Sequence, residues 1–283
     1  MSQKVMEIVT SKIIEALEKG TAPWKQSWAS SRSRNIISGK PYSGANALFT
    51  HPMVTGFKEP GFLTRNQINK LGATIKDGER YLPILFYGSG KNEKTNKEYR
   101  FTRFYKIWNT SQIEGLSFND TRETEKNQSA EDVLNGWVDR PRITTGPYNP
   151  CYGAVVDTVY MPEQGKFNSD GEYYSALFHE LVHSTGNKKR LDRDLKPLML
   201  DSHSYSREEL IAEIGSAFLC HHTGVKGVIE NQAAYCQSWL KALKNDREFI
   251  LKAAREADKA FRMITEEASN GSSKKETPPK VQA

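Results

Sequence analysis

The sequence predicts an α+β fold in two parts, residues 1–117 and 131–265, with a polar linker at 118–130 and a disordered tail at 266–283. Three observations lead there. The front part reads as strand-like segments and short helices rich in basic and aromatic residues. Residues 118–130 are almost wholly polar and lack the apolar side chains a core needs. The rear part holds two helical patterns whose polar faces carry histidines and glutamates among apolar neighbours.

A chain of 283 residues suits two modest domains or one large one. Its 37% hydrophobic and 26% charged content is that of an ordinary soluble protein. No apolar run approaches the roughly 18 residues of a membrane span, and the first residues show no apolar signal region, so no membrane association is expected. Cys151, Cys220 and Cys236 are odd in number and far apart. They suit neither a disulfide framework nor a Cys-x-x-Cys metal knuckle, so the expected setting is a reducing cytoplasm. The net charge of +6 is unevenly shared. Residues 1–117 hold eighteen Lys and Arg against nine Asp and Glu, a net of +9, and the remainder is at −3. Two partners of different chemistry are the natural consequence.

Taken in order, residues 3–18 carry Val5, Ile8, Val9, Ile13 and Leu17 at helical spacing, with Gly20 as a stop. Residues 35–46 have the Gly and Pro content of turns. Phe62–Gly72 reads as a short helix, and Ala73–Ile75, Leu82–Tyr87 and Arg100–Trp108 as strands around a hairpin tip at 88–98. Gly88-Ser-Gly-Lys91 is not a phosphate-binding loop, because Leu85 and Asn92 stand where Gly and Ser or Thr are required. Beyond the linker, 131–137 reads as a helix, and Ile143, Tyr152–Ala154 and Thr158–Met161 as strands. Helices follow at 173–186, 206–222, 232–244 and 248–264.

The helix at 173–186 contains His179-Glu180-Leu-Val-His183. Residues four apart share a helix face, so both imidazoles can bind one Zn²⁺, or another divalent ion in its place. Glu180 between them is placed to serve as general base in hydrolysis. Thr185-Gly186 is the expected stop, with Gly186 left-handed. The helix at 206–222, with Ser206 as its expected cap, places Glu209 and Glu213 on one face beside Ala212 and Ser216. Carboxylates are expensive to bury on such a face unless bound or paired. Glu209 is therefore the expected third metal ligand, and Glu213 the carboxylate that orients one of the histidines.

In the front part, Trp24, Trp28, Tyr42, Phe101, Tyr105 and Trp108 are interleaved with Lys25, Arg32, Arg34, Lys40, Arg65, Arg100, Arg103 and Lys106. Flat rings for bases and cations for phosphates are what single-stranded DNA requires. The same residues also suit an ordinary core and a solvated surface.

The phrases Ala22-Pro23-Trp24-Lys25-x-x-Trp28, Gly39-Lys-Pro-Tyr42-Ser-Gly44-Ala-Asn46 and Leu63-Thr64-x-x-Gln67 form a pattern together with Trp108-Asn109-Thr-Ser-Gln112. In the rear part it continues through Asp157-Thr-Val-Tyr-Met161-Pro162, His179-Glu-Leu-Val-His183-Ser-Thr-Gly186, Arg190-Leu-Asp-Arg193 and Glu209-Leu-x-Ala-Glu213. Over residues 5–225 the chain resembles the plasmid antirestriction proteins of the ArdC type and the N-terminal part of TraC-type conjugative primases. That resemblance implies an N-terminal domain that binds single-stranded DNA and a C-terminal zincin-like metallopeptidase domain. Together they would protect incoming plasmid DNA during conjugation. It implies Glu180 as catalytic base, His179, His183 and Glu209 as metal ligands, and a protein substrate, such as a restriction-system component, as a further partner. Three readings stay open: DNA binding with a working peptidase, DNA coating with an idle metal site, and a metallopeptidase recruited to DNA or acidic substrates by its basic front.

Overall fold

The computed structural model describes residues 10, 11, 14, 18, 33–91, 96, 98–116, 129–193, 195, 202–225, 239, 243, 244, 246 and 248–269. Most of the expected helices at 3–18 and 232–244, residues 118–128 of the polar linker, and the tail beyond 269 lie outside them.

The front part is built on a four-stranded sheet of β1 (Arg34–Asn35), β2 (Gly61–Thr64), β4 (Leu82–Lys91) and β5 (Glu98–Asn109), in the order β1-β2-β5-β4. β1 runs parallel to β2, and the other pairs are antiparallel. The β4–β5 ribbon is the longest element, in register from Leu82↔Ile107 to Lys91↔Glu98. β3 (Thr74–Ile75) and β6 (Ile113–Glu114) form a second small antiparallel pair. Between β1 and β2 lie the short helices α1 (Ala45–Thr50) and α2 (Pro52–Thr55).

The helix expected at 62–72 divides into strand β2 and helix α3 (Arg65–Lys70). Phe62 and Leu63 alternate across the sheet into two separate apolar clusters, a pattern with the strand's period of two. The helix begins only after Thr64, whose hydroxyl accepts from Gln67 N while the Gln67 side chain accepts from Thr64 N, a capping box.

In the rear part, α4 (Ala130–Gly136) starts with a second capping box, between Ser129 and Asp132. Of the polar linker, Ser129 thus caps a helix and Ala130 begins it. β7 (Arg142–Thr145), β8 (Cys151–Gly153) and β9 (Thr158–Met161) form a sheet in the order β7-β9-β8. Three long helices follow among the described residues: α5 (Asp170–Ser184), α6 (Ser202–Thr223) and α7 (Phe249–Ser269). α6 begins four residues before the expected Ser206, which lies inside it and is not its cap. α7 runs past the expected end at 264, into the start of the expected tail.

The helices pack through small residues. Ile250, Ala253, Ala254, Ala257, Ala260, Phe261 and Ile264 make one buried stripe on α7 at helical spacing. Leu177, Phe178, Leu181 and Val182 of α5 and Leu210, Ile211 and Ile214 of α6 share that core. So do Ala45, Leu48 and Phe49 of α1 and Leu85 of β4. The front part is also tied to α7 by a hydrogen bond of 2.7 Å from Gly44 N to the Asp258 carboxylate. No helix among the described residues is long and apolar enough to cross a membrane. Cys151 and Cys220 are free thiols; Cys236 lies outside the described residues.

Candidate metal centre

α5 starts at Ser169, which accepts a hydrogen bond from Glu172 N, and carries Asp170 and Glu172 in its first turn, where the helix dipole favours negative charge. Its apolar side enters the core, so His179 and His183 turn toward α6. The two helices approach closely at Gly215, where a Cβ would come within 2.8 Å of the Val182 side chain. Next to it, Ser216 donates to Ser175 O at 3.0 Å. That contact brings Glu209, a turn and a half earlier on α6, to the two histidines.

The donor atoms of His179, His183 and Glu209 all lie within 4.8 Å of one another, the one such group of three among the described residues. His179 Nε2 and His183 Nε2 are 3.0 Å apart, and each is 3.4 Å from a Glu209 oxygen. Ligands about 2.0–2.1 Å from a tetrahedral ion stand about 3.3 Å from each other. On the face of an octahedron the same bonds give about 3.0 Å. Two imidazoles facing one carboxylate, with one of its oxygens near each, fit a divalent ion, with further positions left for other ligands.

The electrostatics point the same way. Burial opposes charge on Glu209, but its hydrogen bonds with His179 and His183 outweigh this and hold the carboxyl far below the usual range. Burial likewise opposes charge on His183, yet hydrogen bonds to Glu208 and Glu209 push it up to about 10. His179 is raised as well: burial works against it, and the bond to Glu209 prevails. The buried Glu180 adds its negative charge to both histidines. The result is an anionic pocket around two imidazoles, suited to a cation.

Glu213 lies beside His179 as expected, without a direct hydrogen bond, and a second acid, Glu208, stands beside His183. The Glu213 carboxylate is 3.9 Å from His179 Nδ1, beyond hydrogen-bond reach. Glu208, not among the expected site residues, is 3.3 Å from His183 Nδ1 and is paired with Arg193. A carboxylate directly before a ligand glutamate was the available signal. Gly186 is not left-handed either. Its role is space, since a Cβ there would meet Leu195 at 2.7 Å, and the helix closes through Thr185 in helical conformation.

Of the residues expected at a DNA surface, Trp24, Lys25, Trp28 and Arg32 lie outside the described residues. Arg34 is 7% exposed and Trp108 is 3% exposed, with Arg65 5.1 Å above the Trp108 ring. As they stand, these two positions belong to the interior, because each lies where β1 and β5 cover the core. Tyr42 packs edge-on against Phe62, 5.9 Å away, in a separate apolar cluster from that of Trp108. Lys40, Arg65, Arg103 and Tyr105 are exposed. Arg103 and Tyr105 fall on one face of the β4–β5 ribbon, opposite Phe86 and Ile84 in register. Phe86 is 46% exposed and Tyr105 is 43% exposed. Ring centroids run from Phe101 to Phe86 (6.3 Å) and on to Tyr105 (5.8 Å), with the Arg103 guanidinium 4.8 Å over Phe101. Phe86 was overlooked in the sequence because its neighbours in β4 are apolar.

Residues 3–133 match the N-terminal domain of anti-restriction factor ArdC, and residues 136–256 match the zincin-like metallopeptidase family. The fold is thus mixed α+β, with an ArdC-like front region and a zincin-like rear module. The chain is 32% identical to a DNA primase TraC of Escherichia coli over 282 residues, spanning 26% of that protein's length, and 31% identical to a second, spanning 19%. The crystal structure of the metal-free antirestriction ArdC protein from plasmid R388 superposes with a TM-score of 0.79 at 31% identity, covering 95% of this chain and 99% of that one. Its Mn(II)-bound form matches with a TM-score of 0.76 at 32% identity, covering 94% and 98%. Sharing one fold and nearly a third of its residues with ArdC from end to end, this chain belongs to the ArdC family of antirestriction proteins.

Proposed function

We propose that this protein protects incoming plasmid DNA from restriction during conjugation, binding single-stranded DNA through its front part and holding a divalent ion, Zn²⁺ by preference, in its rear part. The observation that carries this reading is the end-to-end match to an antirestriction ArdC protein. The β4–β5 ribbon supports the DNA partner: Phe86, Phe101 and Tyr105 offer ring faces to unstacked bases and Arg103 offers charge to the backbone, in a region with a net of +9.

His179, His183 and Glu209 would hold the ion, which when bound supplies a water of lowered pKa and polarises a carbonyl. Glu180 neighbours two ligands without being one. Its carboxylate accepts a proton from the attacking water and returns it to the leaving amine. Glu180 also favours a second reading, that of a working zinc metallopeptidase recruited to DNA-bound or acidic protein substrates by the basic front. A purely structural metal site needs no buried acid at that position.

The test is plasmid transfer into restriction-proficient and restriction-deficient recipients, with and without the protein. Transfer into the proficient recipient alone should fall when the protein is absent. An equal yield with and without it contradicts the reading.

A further inference from the structure

We infer that Arg193 and Glu208 act as a positioning pair for the metal centre, fixing His183 so that its Nε2 faces the other two donors; this rests on the metal-binding reading above. His183 Nδ1 lies 3.3 Å from Glu208 Oε1. The Glu208 carboxylate is gripped on both oxygens by Arg193, Nη2 to Oε1 at 2.7 Å and Nε to Oε2 at 3.0 Å. Arg193 in turn donates to Thr185 Oγ1 at 2.8 Å and to Val182 O at 2.9 Å. Val182 and Thr185 flank His183 on α5, so the hydrogen bonds form a closed ring from the imidazole through Glu208 and Arg193 back to the same helix turn.

An imidazole can turn about its last bond into two orientations, and only one aims Nε2 at the ion. A carboxylate fixed at Nδ1 selects that orientation and raises the basicity of the other nitrogen. Glu213, 3.9 Å from His179 Nδ1, stands too far off to hold that histidine in the same way. His183 is therefore the ligand held in advance.

The loop that delivers Arg193 is shaped for it. Leu191 N and Arg193 N donate to Thr185 O and Gly186 O, at 2.8 and 3.0 Å. Asp192 between them is left-handed, φ 47°. Arg190, on the same loop, instead binds Asp157 in the β8–β9 turn, with Nη1 and Nη2 each donating at 2.9 Å. Arg190 is thus the comparison arginine: it shares the loop and also holds the helix end, through Ser184 O at 2.9 Å, but its carboxylate partner is Asp157 and not the acid beside His183.

The experiment measures Zn²⁺ affinity of the full chain by chelator competition, with the His183 Nδ1 proton followed by ¹⁵N-resolved NMR of the Zn²⁺-loaded protein. Glu208→Ala and Arg193→Gln should weaken Zn²⁺ binding by about 10- to 100-fold. The protected Nδ1 proton should be present in the wild type and absent in Glu208→Ala. Glu208→Gln, whose amide oxygen still accepts from Nδ1, should recover part of the affinity. Arg190→Ala should lower the melting temperature and leave both readouts unchanged. If Glu208→Ala does not fold, Arg193→Gln carries the test. Affinity within about twofold of wild type in Arg193→Gln and in folded Glu208→Ala overturns the inference, as does a weakened affinity with the Nδ1 proton intact in Glu208→Ala. A wild-type chain that takes up no Zn²⁺ instead overturns the metal reading, and the pair's role falls with it.

Discussion

Asn46 and Leu85 exchange two hydrogen bonds, Asn46 Nδ2 to Leu85 O at 2.7 Å and Leu85 N to Asn46 Oδ1 at 2.8 Å. Among the described residues β4 is the last strand of its sheet, and one carboxamide here pairs with its outer edge as a neighbouring strand would. It blunts an exposed edge and fixes the aromatic ribbon to α1, which sits in the core shared with the long helices. Asn46→Ala leaves both Leu85 groups unpartnered, and each should lower stability by about 1–3 kcal/mol. Denaturant unfolding checks this; an unchanged midpoint contradicts it.

Arg190 and Asp157 give a prediction in pH. Burial alone would raise the Asp157 carboxyl, but the Arg190 guanidinium and the Tyr152 hydroxyl outweigh it and hold the group below its ordinary value of 3.8. A carboxyl depressed on folding contributes stability that is present above that value and lost as the pH falls through the folded one. Arg190→Ala should therefore lower the melting temperature at pH 7, and the gap to wild type should narrow below about pH 4. A gap constant from pH 7 down to 3.5 and below contradicts the assignment.

On the ribbon, Phe86→Ala and Tyr105→Ala should each weaken single-stranded DNA binding by about 1–3 kcal/mol, the scale of one lost base–ring contact. Both side chains are open to solvent, so thermal stability should change little. Trp108→Ala should do the reverse, with a loss of about 3–5 kcal/mol in stability from an emptied interior. Anisotropy of a labelled oligonucleotide at fixed salt separates the two cases. Wild-type affinity in the double variant Phe86→Ala, Tyr105→Ala would remove the ribbon from the DNA surface.

Much of the centre was legible because helix periodicity is local. Four-residue spacing puts His179 with His183, and an acid on a small-residue helix face is hard to explain otherwise. What could not be read was partnership across the chain. Nothing in the spacing of Arg193 and Glu208 says that a left-handed turn at Asp192 brings them together. Nor does the sequence tell Glu208 from Glu213, which differ by how α5 and α6 cross at Gly215. The aromatics show the same limit from the other side. Strand period says that Phe101, Arg103 and Tyr105 share a face and that Phe104 and Lys106 share the opposite one, but only packing tells that Trp108 is covered while Phe86 is open. At β2, the alternation of Phe62 and Leu63 was hidden by the helix signal of the capping box that follows.

Glu180→Gln keeps shape and volume and removes the base. The variant should fold, bind metal and bind single-stranded DNA as wild type does, while any peptide hydrolysis falls by at least ~10². Protection of incoming DNA should persist if coating the strand suffices. Loss of protection with unchanged DNA affinity would make proteolysis the protective step.

If His179, His183 and Glu209 together hold one divalent ion, metal content per chain, measured by elemental analysis after Zn²⁺ loading and dialysis, should be about one in the wild type and almost none in folded His183→Ala and Glu209→Gln. Full occupancy in His183→Ala or Glu209→Gln would contradict it.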